Sequence, residues 1–175
     1  LIGADLRKPR IYDDFGVNNK IGLSTLLIGK ATLSEAIQKT SNESLDLITS
    51  GPIPPNPSEL LSSPEFNALI DELKLKYDHI IIDTSPIGLV TDARIIIDIA
   101  DVILLIVRQK VTTIPNLIKV TNELANYKDK SGIVVNDILQ KRIGYGKYGY
   151  GYGYGYGYGY GYGYGYGYQE DDKNS

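Results

Sequence analysis

An α/β fold, a parallel sheet with helices on both faces, is predicted by three features of this sequence. Short runs of aliphatic and β-branched residues alternate with segments of helical periodicity, which is the pattern of βα units joined by right-handed crossovers. Two of those runs, at Leu1-Ile2 and at Ile80-Ile81-Ile82, deliver an aspartate to their C-terminal end and are stopped soon after by a proline. The second run has three consecutive isoleucines, as in a strand covered on both faces in the middle of a parallel sheet. A chain of 175 residues, 42% hydrophobic and 22% charged, suffices for one such domain with a real core. We place that domain at residues 1–143 and a low-complexity tail at 144–175.

Taken in order, Leu1 to Pro9 is a short strand followed by Asp5, the cations Arg7 and Lys8, and a terminating proline. The polar stretch Arg10 to Asn19 reads as a loop. Two short helical pieces follow, Leu23 to Ile28 and Leu33 to Lys39, separated by Gly29-Lys30. Leu45 to Thr49 is a strand feeding a rigid, proline-rich loop from Ser50 to Leu61. Ser63-Pro64-Glu65 starts a helix: serine caps it, proline takes the first position where its missing N–H costs nothing, and an acid faces the dipole. Phe66, Leu69, Ile70 and Leu73 then recur at i, i+3, i+4 and i+7, one apolar stripe for the sheet.

The run His79 to Asp83 is the expected central strand, ended by Ser85-Pro86. His79, at its polar entrance, is assigned no chemistry. Thr91-Asp92-Ala93-Arg94 begins a helix carrying Ile95, Ile96, Ile97 and Ile99, and Asp101 to Val107 is the next strand. Thr113 caps a helix from Ile114 to Asn126 whose expected core face is Ile114, Leu117, Ile118, Thr121 and Leu124. Ser131 to Asn136 is the last strand. From Tyr145 to Tyr168 the chain is made of Gly-Tyr repeats, broken once at Lys147, and an acidic end, Gln169 to Ser175, follows. Glycine at every second position makes ordering costly and leaves one strand face nothing to bury, so this tract is expected to be disordered.

Ligands of parallel α/β sheets bind outside the carboxyl ends of the strands, where Asp5 and Asp83 are expected. A carboxylate there can hold Mg²⁺ directly or through water; it can also simply open the turn after a core strand. The formal net charge of −3, with no Lys/Arg stripe, argues against nucleic acid as a partner. Without cysteine there are no disulfides or thiolate metal sites, which fits a reducing cytoplasm. No signal-peptide pattern is present, and the longest apolar runs fall far below the ~20 residues that span a bilayer, so any membrane tether is expected upstream of Leu1.

The stretches Leu1 to Pro9, Gly51 to Leu61 and Ile80 to Pro86, in this order and followed by a tyrosine cluster, resemble the cytoplasmic kinase domain of the bacterial tyrosine kinases. They match that family's modified second Walker motif, its proline-rich signature and its Walker B motif, and the resemblance spans about residues 1 to 140. It implies a P-loop NTPase-like fold of the MinD/ParA type, ATP and Mg²⁺ as cofactors, and autophosphorylation of the C-terminal tyrosines in exopolysaccharide synthesis and export. On this chain it implies Asp5 and Asp83 on the metal, Asp5 as acceptor of the tyrosine proton, and Arg7 and Lys8 on phosphate. Asn136 matches the family position that contacts the adenine, and equally reads as a turn-forming asparagine. The implied phosphoacceptors are Tyr145, Tyr148, Tyr150, Tyr152, Tyr154, Tyr156, Tyr158, Tyr160, Tyr162, Tyr164, Tyr166 and Tyr168.

Implied partners are neighbouring protomers of a homo-oligomer, a membrane-embedded polysaccharide copolymerase region, a tyrosine phosphatase and an outer-membrane export protein. The implied location is the cytoplasmic face of the bacterial inner membrane. Two departures stand out: Gly3 occupies a place where the family usually has aspartate, and the P-loop, G-x-x-x-x-G-K-[ST], is absent. Two other functions fit the same pattern, a ParA/MinD-like positioning ATPase and, because of Gly3, a catalytically degraded copolymerase scaffold. For the tail, the competing reading is a cohesive low-complexity tract.

Overall fold

The computed structural model describes residues 1–87 and 92–139. Its elements, in chain order, are β1 (Ile2–Gly3), α1 (Ile11–Phe15), α2 (Leu23–Leu27), α3 (Leu33–Ala36), β2 (Ile37–Lys39) and β3 (Asp46–Ile48). There follow α4 (Pro57–Leu61), α5 (Pro64–Lys74), β4 (Ile82–Asp83), α6 (Asp92–Ile99), β5 (Ile103–Arg108), α7 (Ile114–Glu123), a 3₁₀ segment (Ala125–Lys130) and β6 (Ser131–Asn136). Thr91 and the expected tail, 144–175, lie outside the described residues.

Among the described residues the strands form two sheets, one of order β2-β3-β1-β4 and one pairing β5 with β6. β1 runs parallel to β3 and to β4, and β5 parallel to β6, as expected. Only β2 departs, lying antiparallel on β3. The predicted helix over Leu33 to Lys39 stops at Ala36 because its start is strong and its end is not. Thr32 and Glu35 bond reciprocally to form one capped turn, and β-branched Ile37 then joins the sheet opposite Ile48. Lys39 meets Asp46 across that pair.

The strand expected at the centre of the sheet is instead its edge. β4 is only Ile82–Asp83, it pairs with β1 alone among the described residues, and Ile81 is 60% exposed. A run of isoleucines encodes the ability to be covered on both faces and cannot supply the cover. Two stretches read as loop carry short helices. Gly16, in the left-handed region, closes α1, and Pro57 starts α4 with a backbone angle already suited to a helix.

The α5 reading holds in detail. The Ser63 hydroxyl accepts from Phe66 N at 3.3 Å, and Phe66, Leu69, Ile70 and Leu73 are all buried. They join Ile2, Leu6, Leu23, Leu61 and Ile96 in the main core. On α7 the buried face matches the expected one only in part: Leu124 is buried and Leu117 and Thr121 are half-buried, as expected, and Val120 is added to them. Val120 and Leu124 face inward, with Ile97 of α6, while Ile114 and Ile118 are exposed. The helix carries two apolar stripes, and the β5–β6 sheet covers one of them.

Candidate functional site

The strand ends put the two aspartates side by side. Gly3 is the parallel partner of Asp83, and Ala4 N donates to Asp83 O at 2.7 Å, so the chain leaving β1 passes directly alongside the chain leaving β4. Asp5 follows two residues after Gly3. Its Oδ1 accepts from Arg7 N (3.1 Å), Lys8 N (3.0 Å) and the buried Ser85 hydroxyl (2.6 Å). The Leu6-Arg7-Lys8 turn is thereby wrapped around one carboxylate oxygen, and the other oxygen is left for a cation or a proton. Ser85 was quoted from sequence only as a turn residue; a hydroxyl two positions after the strand's aspartate was the available signal.

Asp83 is held above the ordinary carboxylate range, first by the protein packed around its carboxyl group and then by the charges of Asp5 and Asp14. Asp14 sits on α1, the helix that sequence reasoning read as loop. Negative charge thus accumulates at this edge, which suits a hard divalent cation with oxygen ligands. Among the described residues no group of three or more ligating side chains forms a metal cage. Two carboxylates completed by water and phosphate oxygens is the usual way that Mg²⁺ is held, so the residues present fit that ion.

Gly3 explains how this edge tolerates the absent side chain. A Cβ there would stand 2.9 Å from Ile11 Cγ2 and 3.0 Å from the Ser50 hydroxyl, so α1 fills the space that an aspartate side chain would occupy. The Ser50 hydroxyl is buried with no hydrogen-bond partner among the described residues. The proline-rich signature begins right after it. Gly51 has φ +74°, where a side chain is strained, and packs against Gly22 and Ser24 at the start of α2. Asn19 closes the turn by donating to Gly51 O (3.0 Å) and accepting from Gly51 N (2.8 Å).

The structure places Arg7 beside the site with its guanidinium engaged. Nε and Nη2 donate to Asp92 Oδ2 and Oδ1 at 2.6 and 3.1 Å, and Nη2 also donates to the Ser58 hydroxyl at 3.2 Å. Lys8 is exposed. Asn136 ends β6, in the other sheet, where its Oδ1 accepts from Asp137 N at 2.8 Å within a turn. Tyr145 to Tyr168 lie outside the described residues. Asp92 and Ser58 were missed from sequence: one read as a helix start, the other as part of a stiff loop.

No family model matches the chain. Tyrosine-protein kinase YwqD of Bacillus subtilis (strain 168) is 41% identical over 151 residues, which are 85% of this chain and 64% of YwqD. The chain therefore spans less than two thirds of that relative's length. Among solved structures, the kinase domain of the Escherichia coli tyrosine kinase ETK is 33% identical with a TM-score of 0.75, over 86% of this chain and 60% of ETK's. The kinase domain of VpsO is 31% identical with a TM-score of 0.73, over 79% of this chain and 69% of VpsO's. The fold is the P-loop NTPase-like one expected from the motifs, and the chain belongs to the bacterial tyrosine kinase family.

Proposed function

We propose that this chain is the C-terminal portion of a membrane-tethered, ATP-dependent protein-tyrosine autokinase that phosphorylates its own Gly-Tyr tract between protomers and thereby regulates exopolysaccharide synthesis and export. The observation that carries this is the pairing of Gly3 with Asp83, which stands Asp5 and Asp83 at neighbouring strand ends on the ligand edge of the sheet. Phosphoryl transfer is mainly positioning and charge neutralisation. Asp83 would hold Mg²⁺ directly and Asp5 would do so through water, and the ion neutralises phosphate charge when bound. Arg7 and Lys8 serve phosphate, and Asn136 serves the adenine. A tyrosine hydroxyl, with a pKa of about 10, needs a carboxylate to take its proton as the bond forms, and the second oxygen of Asp5 supplies that acceptor.

Two of the described tyrosines, Tyr77 and Tyr127, are tied to carboxylates and make poor substrates by comparison with the tract. Tyr77 donates to Asp46, and burial with that carboxylate pushes its phenol up to about 12. Tyr127 donates to Asp98, which likewise raises it. The 24 residues of the tract, treated as a flexible chain, span roughly 27 Å on average and about 80 Å at full extension, so the tract can reach a neighbouring site across a domain of about 37 Å width. Redundant tyrosines raise the local concentration of acceptors. The proline-rich signature and the tract favour this reading over a positioning ATPase. The implied partners and the membrane location named above belong to this proposal, with the copolymerase region as the tether.

The test uses the full-length protein. Asp83→Asn keeps the shape and removes the charge, so Mg-ATP-dependent phosphotyrosine should be lost on a blot while the fold is kept. A wild-type signal in the folded variant would sink the metal assignment. For the tail, a catalytically dead protomer with an intact tract is mixed with an active one truncated after Gly144. Peptide mass spectrometry should find label between Tyr145 and Tyr168 of the dead protomer. Label confined to Tyr12, Tyr77 or Tyr127 would favour the cohesive-tract reading.

A further inference from the structure

The Asp92 carboxylate is fully buried, yet it lies at the start of α6, immediately downstream of the strand that carries Asp83. Two segments converge on it. Arg7 comes from the turn after β1 and gives it two guanidinium donors; Ser58 comes from α4, in the proline-rich signature, and donates to Oδ1 at 2.6 Å. Those bonds hold the Asp92 carboxyl well below the usual range, with the Arg7 bond as the largest cause. A buried carboxylate is a costly way to join three segments, since apolar residues of similar size commonly do so at least as stably. Its retention calls for a task beyond cohesion.

The geometry of Arg7 supplies that task. The guanidinium uses its Nε/Nη2 side on Asp92 and Ser58, the side chain is 41% exposed against 1% for Asp92, and no hydrogen bond from Nη1 is made among the described residues. The same residue's backbone N–H donates to Asp5 Oδ1. Arg7 is therefore pinned at one end by the carboxylate of the site and at the other by a buried anchor. A free arginine side chain samples many rotamers; one clamped through two of its nitrogens onto fixed acceptors does not.

We infer that Asp92 is a positioning residue of the phosphoryl-transfer site: by fixing the Arg7 guanidinium it presents the Nη1 edge to a phosphoryl oxygen and steadies Asp5, with Ser58 fixing Asp92 in turn. This rests on the kinase reading above. Full-length wild type is compared with Asp92→Asn, Arg7→Ala, the double variant and Ser58→Ala. Displacements of the order of 1 Å cost about 10²-fold in rate, so Asp92→Asn should lower tract phosphorylation at saturating Mg-ATP by ~10- to 100-fold. Ser58→Ala, which leaves the ion pair in place, should lower it a few-fold, about 2 to 5.

The decisive result is non-additivity. If Asp92 acts through Arg7, the double variant is no slower than Arg7→Ala alone. Losses that multiply, or a fully active Asp92→Asn, overturn the inference. Should Asp92→Asn not fold, Ser58→Ala and its double with Arg7→Ala carry the same comparison. A second readout separates this inference from the kinase reading. The Arg7 Nε–H nuclear magnetic resonance signal is followed while inorganic phosphate is titrated. Tight restraint of that signal, and a phosphate affinity reduced about 10-fold in Asp92→Asn, support the positioning role even in a protein that phosphorylates no tyrosine. Phosphate binding unchanged by Asp92→Asn overturns it.

Discussion

The four-stranded sheet and the β5–β6 pair are built from the same kinds of residue and end in different states. In the first, Ile2, Leu47 and Ile48 are almost wholly buried, and Phe66 of α5 is buried completely against that core. In the second, Ile103 and Leu105 pack on a small core with Ile97, Val120 and Leu124, while Leu104 and Ile106 are 62% and 57% exposed. Val134, the parallel partner of Ile106, is exposed beside it. Among the described residues that face has no covering layer. Strand sequence thus sets what a face can bury, and packing decides whether it does.

Four predictions test this contrast, from the largest expected effect to the smallest. Phe66→Ala should cost about 3–5 kcal/mol, and Ile106→Ala less than about 1 kcal/mol, by urea unfolding of this chain. Equal losses would erase the distinction between the two halves. Next, Asp92→Asn should cost about 2 kcal/mol, less than the 3–5 of a fully buried pair because Arg7 is exposed enough for water to take over part of its solvation.

The pH dependence follows from the same groups. Asp92 and Asp46 are both held below the usual carboxylate range, chiefly by hydrogen bonds from Arg7 and from Lys39 respectively. A depressed pKa contributes stability that is present above the unfolded value of about 4 and lost as pH falls through the folded one. The urea midpoint should therefore drop as pH falls below about 4, and Asp92→Asn should flatten the drop. Asp83 carries the opposite sign. Its folded pKa is raised, so stability is lost as pH rises through that value, and Asp83→Asn should stabilise the Mg²⁺-free chain at neutral pH by less than about 1 kcal/mol, since the side chain, though its carboxyl is partly enclosed, is open to water over much of its surface. A variant that abolishes phosphotransfer and raises the melting temperature would mark Asp83 as a residue kept for its chemistry. The smallest effect is expected on the bare surfaces. Leu104→Ser and Ile114→Ser should change stability by less than about 0.5 kcal/mol while lowering self-association by light scattering, because both side chains are already in water.

Elements written into local sequence were legible. The α5 helix has its cap, its first-turn proline and its apolar stripe within eleven residues, and each acts where read. The two strand-ending aspartates were legible for the same reason, since an apolar run, an acid and a proline form one contiguous signal. The wrongly read elements needed long-range information. Ile37–Lys39 became a strand through its partner Asp46–Ile48, and α7 turned Val120 inward because a sheet lay on that side. Both outcomes depend on contacts that no local window contains.

By itself the sequence determined the parallel α/β class, the two carboxylates at strand ends, the proline-rich turn and the separate Gly-Tyr tract, because each is encoded by residues adjacent in the chain. Only the tertiary structure decided that β4 is an edge, that Ile11 stands over Gly3, and that Arg7 points its fork at Asp92, 85 positions away in the sequence. The physical reason is common to all three. Burial and ion pairing are properties of a neighbourhood, and the neighbours of Gly3 and Arg7 come from distant segments that meet only when the sheet forms.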